Sequence, residues 1–213
     1  CNQALMYYKK VQDLQRVGIL LNSLGILQDI KGEKEAAVAY FKEAEKLFLE
    51  LKDLEWLGQV YNNWGVVHVT ENSLENAIQL YLKALEANET ANNRKGLMAT
   101  HCNLGRLYYK QRLYAQAKAH TEKGILIAKE TRSATWLPLS LNLRGDLYFQ
   151  TGKISLARQS YEEARTIAAK NRDNYNLIFT LNRLARLYRH QGDYQKALMY
   201  VQQSLERSRI TGK

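Results

Sequence analysis

The feature that most constrains this chain is a strict internal period of 40 residues. When the 213 residues are aligned in rows of that length, small residues recur in the same columns. One column contains Gly25, Gly65, Gly105, Gly145 and Ala185, and another contains Ala37, Ala77, Ala117, Ala157 and Ala197. A fixed period of this length is typical of repeat architectures, in which small residues let neighbouring backbones approach closely. The chain is therefore expected to be an array of similar, stacked units.

Residues typical of helix ends recur with the same period and divide each unit into two helices. Side chains that can accept a hydrogen bond from free backbone N–H groups lie where a first helix should begin, at Asp13, Asp53, Asn93, Ser133 and Asp173. The first helix should end at Gly32, Asn72, Arg112, Gly152 and Gly192. All of these except Arg112 tolerate the left-handed backbone of a helix C-cap. Each repeat is thus predicted to be a helix A, a tight turn and a helix B.

In the first repeat, helix A is predicted over about residues 14–31 and helix B over about residues 34–52. Leu20, Leu24 and Leu27 illustrate the helical spacing of the apolar residues. Pro138 is expected to delay or kink helix A of the fourth repeat, because proline lacks a backbone N–H donor. Neither helix of a pair can bury its apolar face alone, so successive pairs are expected to stack.

These columns resemble the tetratricopeptide repeat (TPR) family over essentially the whole chain. The fourth repeat shows the family pattern as Leu141, Gly145, Tyr148, Gly152, Ala157, Tyr161 and Ala164. The 40-residue form is similar to kinesin light chain, the LGN/Pins adaptors, bacterial Rap-type peptide receptors and the sensor arrays of bacterial signalling ATPases and regulators. The resemblance implies an all-α, right-handed α-solenoid (a TPR superhelix) of five helix-turn-helix repeats plus a preceding partial helix.

The register of the columns predicts the boundaries of the repeats. Residues 1–12 are the end of a helix B, and the five repeats are residues 13–52, 53–92, 93–132, 133–172 and 173–213, forming one continuous domain. The chain opens inside a helix B and closes near Ile210, where another repeat could begin. The sequence is therefore interpreted as a fragment of a longer array.

The resemblance also implies where a ligand binds, because helix A lines the concave groove in this family. One helix A column contains Asn22, Asn62, Cys102, Asn142 and Asn182. An amide both donates and accepts, so this column either grips the backbone of an extended peptide or joins adjacent helices and steadies the stack. The residues expected to bind a peptide are Asn22, Asn62, Asn63, Asn103, Arg106, Tyr109, Asn142, Phe149, Asn182, Arg183, Arg186 and Arg189.

Positive charge is concentrated in the second half of the chain. Residues 1–106 contain 12 Lys and Arg against 13 Asp and Glu, whereas residues 107–213 contain 19 against 8. A guanidinium binds a carboxylate bidentately, so we predict an acidic peptide with its carboxylates near Arg106 and Arg186 and its apolar part near Ile26 and Val66. The alternatives are that the basic exterior only aids solubility, and that Arg183 and Arg189 pair with acidic residues of a following repeat.

No motif in the sequence indicates an enzyme. The P-loop, G-x-G-x-x-G, H-E-x-x-H, C-x-x-C and G-x-S-x-G patterns do not occur. The four histidines follow no metal-ligand spacing, so neither a metal nor a cofactor is predicted. Two cysteines, Cys1 and Cys102, and no run of 18 apolar residues favour a cytoplasmic protein that does not span a membrane. The glycosylation triplet at Asn88 is interpreted as a chance occurrence.

The preferred interpretation is a scaffold that binds a protein or peptide, expected to be acidic. One alternative is a sensor or autoregulatory arm of a larger signalling ATPase, transcription regulator or caspase-like protease, in which the groove binds another domain of the same protein. Another alternative is a nucleic-acid-binding solenoid, because Tyr109 and Phe149 lie among basic residues.

Overall fold

The computed structural model describes residues 2–210, apart from the side chains of residues 2 and 9. This part of the chain contains helices and no strand, which confirms the all-α prediction. The helices are α1 (Asn2–Lys10), α2 (Leu14–Lys31), α3 (Lys34–Glu50), α4 (Leu54–Thr70), α5 (Leu74–Thr90), α6 (Arg94–Lys110), α7 (Tyr114–Glu130), α8 (Trp136–Gln150), α9 (Ile154–Lys170), α10 (Asn174–His190) and α11 (Tyr194–Ile210). Cys1 and residues 211–213, where a further repeat is expected to begin, lie outside the described residues.

The even-numbered helices from α2 to α10 are the predicted A helices, and the odd-numbered helices from α3 to α11 are the predicted B helices. Contacts pair α2 with α3, α4 with α5, α8 with α9 and α10 with α11. Helix α8 begins at Trp136, two residues later in its repeat than α4 does in its own. Pro138 lies in the first turn of α8, where a missing N–H costs little, so proline delays this helix as expected.

All five predicted N-cap side chains accept a hydrogen bond from the backbone N–H group three residues later. The distances are 3.1 Å from Asp13 to Arg16 and from Asp53 to Trp56, and 3.0 Å from Asp173 to Asn176. Asn93 accepts from Gly96 at 3.0 Å, and Ser133 accepts from Trp136 at 3.2 Å. These bonds satisfy donors that have no partner within the helix, and in α2, α4, α6 and α10 the capping residue directly precedes the helix. In the fourth repeat, α8 begins only at Trp136, three residues after Ser133.

The turn after each A helix uses a left-handed residue, as the sequence predicts. The φ angles are 86° at Gly32, 61° at Asn72, 61° at Arg112, 72° at Gly152 and 80° at Gly192. After Gly32 the chain closes the helix end by donating from the Glu33 amide to the Gln28 carbonyl at 2.9 Å. Arg112 adopts this conformation although it carries a Cβ, so the turn is imposed by the repeat rather than by the residue type.

The chain divides into two compact units, unit 1 (Cys1–Asn103) and unit 2 (Leu104–Lys213), with the boundary inside α6. In unit 1, Phe41 packs against Gly25 so closely that a Cβ added there would lie 2.7 Å from its ring. In unit 2, a Cβ at Gly145 would lie 2.3 Å from the ring of Tyr161. The glycine column therefore makes room for large buried side chains of helix B. That the two units form one continuous domain stays a prediction.

Candidate peptide-binding site

The amide column of unit 1 joins neighbouring A helices. Asn22 and Asn62 are only 4% and 7% exposed. The Nδ2 atom of Asn63 donates to Oδ1 of Asn22 at 3.1 Å, and Nδ2 of Asn103 donates to Oδ1 of Asn62 at 3.1 Å. Asn63 and Asn103 are half-buried, and each uses its amide to satisfy a buried Asn on the neighbouring helix. For these four residues the geometry favours the packing alternative over peptide gripping.

The same column behaves differently at its two positions in unit 2. Asn142 is fully buried, and its Nδ2 donates to Oγ1 of Thr180 on α10 at 2.8 Å. The expectation that Asn142 faces a groove is therefore corrected, because its side chain lies between α8 and α10. Asn182, by contrast, is exposed on α10.

The principal polar cluster of unit 2 is centred on Asp146, a buried residue of α8. Its Oδ2 accepts from Nε and Nη2 of Arg183 at 2.9 and 2.8 Å. Its Oδ1 accepts from Nη2 of Arg186 at 2.8 Å and from the hydroxyl of Tyr161 at 2.7 Å. Two charge-assisted contacts and a phenol thus compensate the burial of one carboxylate.

Asp146 is a site residue that the sequence reasoning missed. It occupies the same helix A column as Arg106 and Arg186, but it was not included among the expected binding residues. The signal was the spacing, because Arg186 follows Asp146 by one full period and Arg183 lies three residues earlier. Side chains about one period apart on successive A helices are neighbours, as the amide pairs of unit 1, which are 41 residues apart, also show.

The electrostatics of this cluster keep Arg186 charged and the phenols of Tyr109 and Tyr161 protonated. Burial, followed by the charge of Asp146, raises the pKa of Tyr161 and the pKa of Tyr109. Burial by itself lowers the pKa of Arg186, but Asp146 and the two tyrosines raise it, and the net shift is upward. The cluster can therefore orient hydrogen-bond donors and positive charge, and it is unsuited to exchanging protons near neutral pH.

Arg183 and Arg186 differ in how much of the guanidinium group remains exposed to solvent. Arg183 directs Nε and Nη2 at Asp146, donates from Nη1 to the Phe179 carbonyl at 3.4 Å, and places Cζ 3.4 Å from the centroid of the Phe179 ring. Arg186 donates from Nη2 to Asp146, and its Cζ lies 4.9 Å from the ring centroid of Phe149. Its side chain stays 42% exposed, against 21% for Arg183. Arg183 is therefore part of the scaffold, whereas Arg186 retains donors that face solvent.

The partner of Arg183 corrects one alternative. The sequence interpretation paired Arg183 with an acidic residue of a following repeat, but its partner Asp146 lies in the preceding repeat. This alternative is therefore wrong for Arg183, because the guanidinium is oriented toward α8 by its contacts with Asp146.

The remaining expected residues border the same cluster. Tyr109 and Phe149 are half-buried, and Tyr109 is near enough to Asp146 and Arg186 for their charges to affect its pKa. Phe149 also contacts His190, with ring centroids 5.1 Å apart. Arg106 and Arg189 are exposed, and within residues 2–210 neither side chain forms a hydrogen bond or an ion pair. Ile26 and Val66, the expected apolar contacts, are exposed in unit 1.

The described residues contain neither a three-residue metal site nor a helix that could cross a membrane. No group of three His, Cys, Asp or Glu side chains among them is arranged to hold a metal ion. None of the helices in residues 2–210 combines the length and apolar character needed to cross a membrane.

Comparison with protein families identifies the repeat. A tetratricopeptide repeat model matches residues 136–210, and a second tetratricopeptide repeat model matches residues 58–90. Among curated proteins, the transcriptional activator NprA of Geobacillus stearothermophilus is 27% identical over 129 residues. That alignment covers 61% of this chain and 32% of NprA, so it spans about a third of the relative's length.

Solved structures show the same fold at low sequence identity. BtubC from P. vanneervenii superposes with a TM-score of 0.83 at 18% identity, covering 99% of this chain and 86% of BtubC. The signal transduction ATPase PH0952 from Pyrococcus horikoshii, described as having a tetratricopeptide repeat sensor, superposes with a TM-score of 0.78 at 20% identity. This match covers 95% of the present chain and 33% of PH0952.

Proposed function

This chain belongs to the tetratricopeptide repeat superfamily, and we propose that it is a non-catalytic scaffold that holds an extended, acidic segment of a partner protein on its A helices. The observation that carries the proposal is the half-exposed Arg186, which Asp146 orients and Phe149 supports. The proposed site consists of Arg106, Tyr109, Phe149, Asn182, Arg186 and Arg189.

The acidic character of the partner follows from the charge of the proposed site. Arg106, Arg186 and Arg189 are exposed in unit 2, and Asp146, the acidic residue among them, is buried. A guanidinium that is already oriented loses less conformational entropy on binding a carboxylate than a free side chain does. Residues 107–213 also carry a net charge of +11, which attracts acidic segments over longer distances.

The absence of a catalytic role is proposed on the chemistry of the cluster. Its ionisable groups are paired, and the raised pKa of Tyr109 and of Tyr161 makes both phenols poorer proton donors at neutral pH. Such groups recognise charge and shape, which is the general role of repeat scaffolds with extended binding surfaces. We place this activity in the cytoplasm, in keeping with the low cysteine content of the sequence.

The test is a binding titration with defined peptides and two matched double variants. The probe is a fluorescein-labelled peptide of about twelve residues with alternating Glu and Leu, and its counterpart has Gln in place of Glu. We expect the Glu peptide to bind and Arg106→Gln with Arg186→Gln to weaken it by about tenfold, equivalent to about 1.4 kcal/mol. Raising the salt concentration should weaken the wild-type complex more than that of the double variant.

The control is Lys118→Gln with Arg158→Gln, which removes the same charge from exposed positions on α7 and α9. We expect its affinity for the Glu peptide to stay within about twofold of wild type, because long-range attraction alone is a weak effect at physiological salt. Equal losses in the two double variants would show that only net charge matters. Equal binding of the Glu and Gln peptides would refute recognition of an acidic segment.

A second candidate function is that of a regulatory arm that binds another domain of the same protein. The observation that favours it is the similarity to portions of NprA, a transcriptional activator, and of PH0952, a signal transduction ATPase. A domain encoded in the same reading frame should then bind residues 1–213 when the two are mixed, and Arg106→Gln with Arg186→Gln should weaken that binding. Nuclease treatment during the experiment would expose a bridging nucleic acid by abolishing the complex.

A further inference from the structure

Helix α10 carries a continuous line of aromatic and basic side chains that extends beyond the proposed site. We infer that Tyr175, Phe179 and Arg186 select peptides in which an apolar side chain and a carboxylate are separated by about five residues. This inference rests on the proposed function, and it adds the spacing that the partner's sequence must have. We call Tyr175, Phe179, Arg183 and Arg186 the α10 stripe.

The first half of the α10 stripe is an exposed aromatic platform. The rings of Tyr175 and Phe179 have centroids 6.4 Å apart and are nearly parallel, at an interplanar angle of 12°. Tyr175 is 66% exposed, so most of its side chain lies at the surface and can contact a ligand. Tyrosine and arginine are also the residues that most often dominate binding energy at protein interfaces.

The platform is held in place by the Asp146 cluster. Arg183 follows Phe179 by one helical turn and covers its ring at 3.4 Å, while two of its nitrogens bind Asp146. Tyr175 flanks Phe179 one turn earlier. Arg183 is thus a positioning residue, because it connects the aromatic platform to the carboxylate that also orients Arg186.

The positions of these residues place them along one side of the helix. Residues separated by 4, 8 and 11 positions return to nearly the same face of an α-helix. Tyr175 and Arg186 are 11 positions apart, which corresponds to about 16 Å along the axis at 1.5 Å per residue. An extended peptide advances about 3.3 Å per residue, so about five residues cover that distance.

The contacts within the platform favour a peptide over a nucleic acid. A base binds to an aromatic side chain by stacking on the face of its ring. Phe179 lies between Tyr175 and Arg183, and the Phe149 ring is covered by Arg186 and contacted at its edge or face by His190. These contacts cover faces of the Phe179 and Phe149 rings, and Tyr175 is 66% exposed beside them. The arrangement suits aliphatic side chains of a peptide.

Charge complementarity indicates which part of the peptide binds at the Arg186 end of the α10 stripe. Arg186 keeps unused donors beside the exposed Arg189. A carboxylate that accepts from Arg186 would also lie near Arg189, which strengthens the attraction without requiring a second contact. The occupant is therefore a protein segment with an aliphatic residue at one end and Asp or Glu at the other.

A spacing series of synthetic peptides tests this inference directly. The probes are fluorescein-labelled peptides of about fourteen residues, in which a Leu pair and a Glu pair stand in a Gly/Ser background. The pairs are separated by about one, five or nine residues and are made in both orders. We expect the separation of about five residues to bind at least fivefold more tightly than the other two separations in one of the orders.

Two variants and a control test which part of the peptide each end of the α10 stripe binds. Tyr175→Ala should weaken the best peptide about fivefold and leave a peptide that retains Glu but lacks Leu unaffected. Arg186→Gln should remove the discrimination between that peptide and its Gln counterpart. Tyr194→Ala is the matched control, since Tyr194 is equally exposed on α11, outside the stripe, and its affinity should match wild type. Thermal melting of each variant establishes that it folds.

The possible outcomes separate this inference from the proposed function. Binding of Glu peptides without a preferred spacing, or without sensitivity to Tyr175→Ala, would overturn the inference and leave the acidic-segment scaffold standing. No preference for Glu peptides over Gln peptides at any spacing would refute both. A labelled oligo(dT) that binds more tightly than every peptide, and loses affinity with Tyr175→Ala, would reassign the stripe to nucleic acid.

Discussion

Asn88 fills a space that two glycines leave open in unit 1. Its side chain is 1% exposed, and Nδ2 donates to the Ala84 carbonyl at 2.7 Å. A Cβ added at Gly96 would lie 1.9 Å from Oδ1 of Asn88, and one added at Gly58 would lie 2.6 Å from Nδ2. The burial of Asn88 also supports the interpretation of its glycosylation triplet as chance, because the folded chain offers no room for a carbohydrate there.

The Asn88 contact predicts that Gly96→Ala destabilises the protein by about 1–3 kcal/mol, through overpacking of a buried site. Alanine is otherwise the better helix former, so a stabilised variant would contradict the packing seen here. The measurement is the free energy of unfolding in urea. In Asn88→Ala with Gly96→Ala the added methyl group has space, and we expect part of the loss to be recovered. The double-mutant cycle should give a coupling energy of at least about 1 kcal/mol.

The folding stability of the protein should decrease at mildly acidic pH because of His120. It packs beside Tyr108 with ring centroids 5.5 Å apart, and burial, followed by the charge of Lys123, lowers its pKa. The unfolded chain then binds a proton at higher pH than the folded chain does. Stability should therefore fall as the pH decreases from about 6.5 toward the lowered pKa.

The His120 prediction is checked by thermal melting of the wild type and His120→Gln across pH 5 to 8. We expect the glutamine variant to have a flatter pH dependence between about pH 6.5 and 5, because it has no imidazole to protonate. His190→Gln is the matched control, since His190 is exposed on α10. Parallel curves for wild type and His120→Gln would contradict the assignment.

At the scale of the elements, the helices end through two series of left-handed residues. The series after the A helices was predicted from Gly32, Asn72, Gly152 and Gly192. The series after the B helices was not predicted, and it consists of Gln12, Lys52, Asn92, Arg132 and Arg172, with φ between 50° and 56°. Four of these five are Gln, Lys or Arg, so their residue types do not reveal the conformation that the repeat requires of them.

Arg112 is the position at which this backbone requirement can be tested. It has a φ of 61° where three of its four equivalents are glycine, at Gly32, Gly152 and Gly192. Arg112→Gly should stabilise the protein by about 0.5–1 kcal/mol, because relief of the left-handed conformation exceeds the entropy that glycine loses on folding. Arg112→Ala retains the Cβ and should give no such gain. A loss of stability in Arg112→Gly, measured by urea unfolding, would indicate that the arginine side chain itself matters.

At the scale of the whole molecule, contacts within each unit are local in sequence. They join helices that are adjacent in the chain or separated by one helix, such as α2 with α4 and α8 with α10. Stability in such an array is approximately a sum of terms from each repeat and from its nearest neighbours. The effects of a mutation are therefore expected to remain within a few helices of the altered residue.

Hydrogen exchange should reveal this locality in two matched variants. Gly145→Ala forces a Cβ to within 2.3 Å of Tyr161, and Gly25→Ala forces one to within 2.7 Å of Phe41. We expect Gly145→Ala to lower the protection of amides in α8 and α9 and to leave α2 and α3 unchanged. Gly25→Ala should give the reciprocal pattern. A uniform loss of protection from α2 to α11 in either variant would contradict nearest-neighbour behaviour.

The part of the fold that could be predicted was the part encoded by local chemistry. Asp13 and Asp53 cap helices because their carboxylates reach backbone donors three residues away, and Gly32 turns because it has no Cβ. These interactions involve neighbours in sequence. The repeated columns add the small residues that let helix pairs approach, so the all-α repeat architecture was confirmed.

The candidate site was predicted less completely, because the sequence does not state which side chains across successive repeats contact one another. Asn22, Asn62 and Asn142 were expected to face a ligand, and they are buried between helices. Arg183 was expected to bind a peptide or an acidic residue of a following repeat, and it forms an ion pair with Asp146 instead. The position of a residue in the repeat indicates which face of the helix it occupies. Its contacts depend on which residues occupy the facing positions of the neighbouring repeat.

By itself, the sequence determined the period, the helix ends and the excess of positive charge in residues 107–213, because each of these is a property of residue types at fixed spacing. Only the tertiary structure decided which polar groups remain available. In the packed interior a buried donor or acceptor must find a partner. In unit 2 Asp146 accepts from two nitrogens of Arg183 and from Nη2 of Arg186. Arg186 keeps free donors because its position leaves part of the guanidinium in solvent.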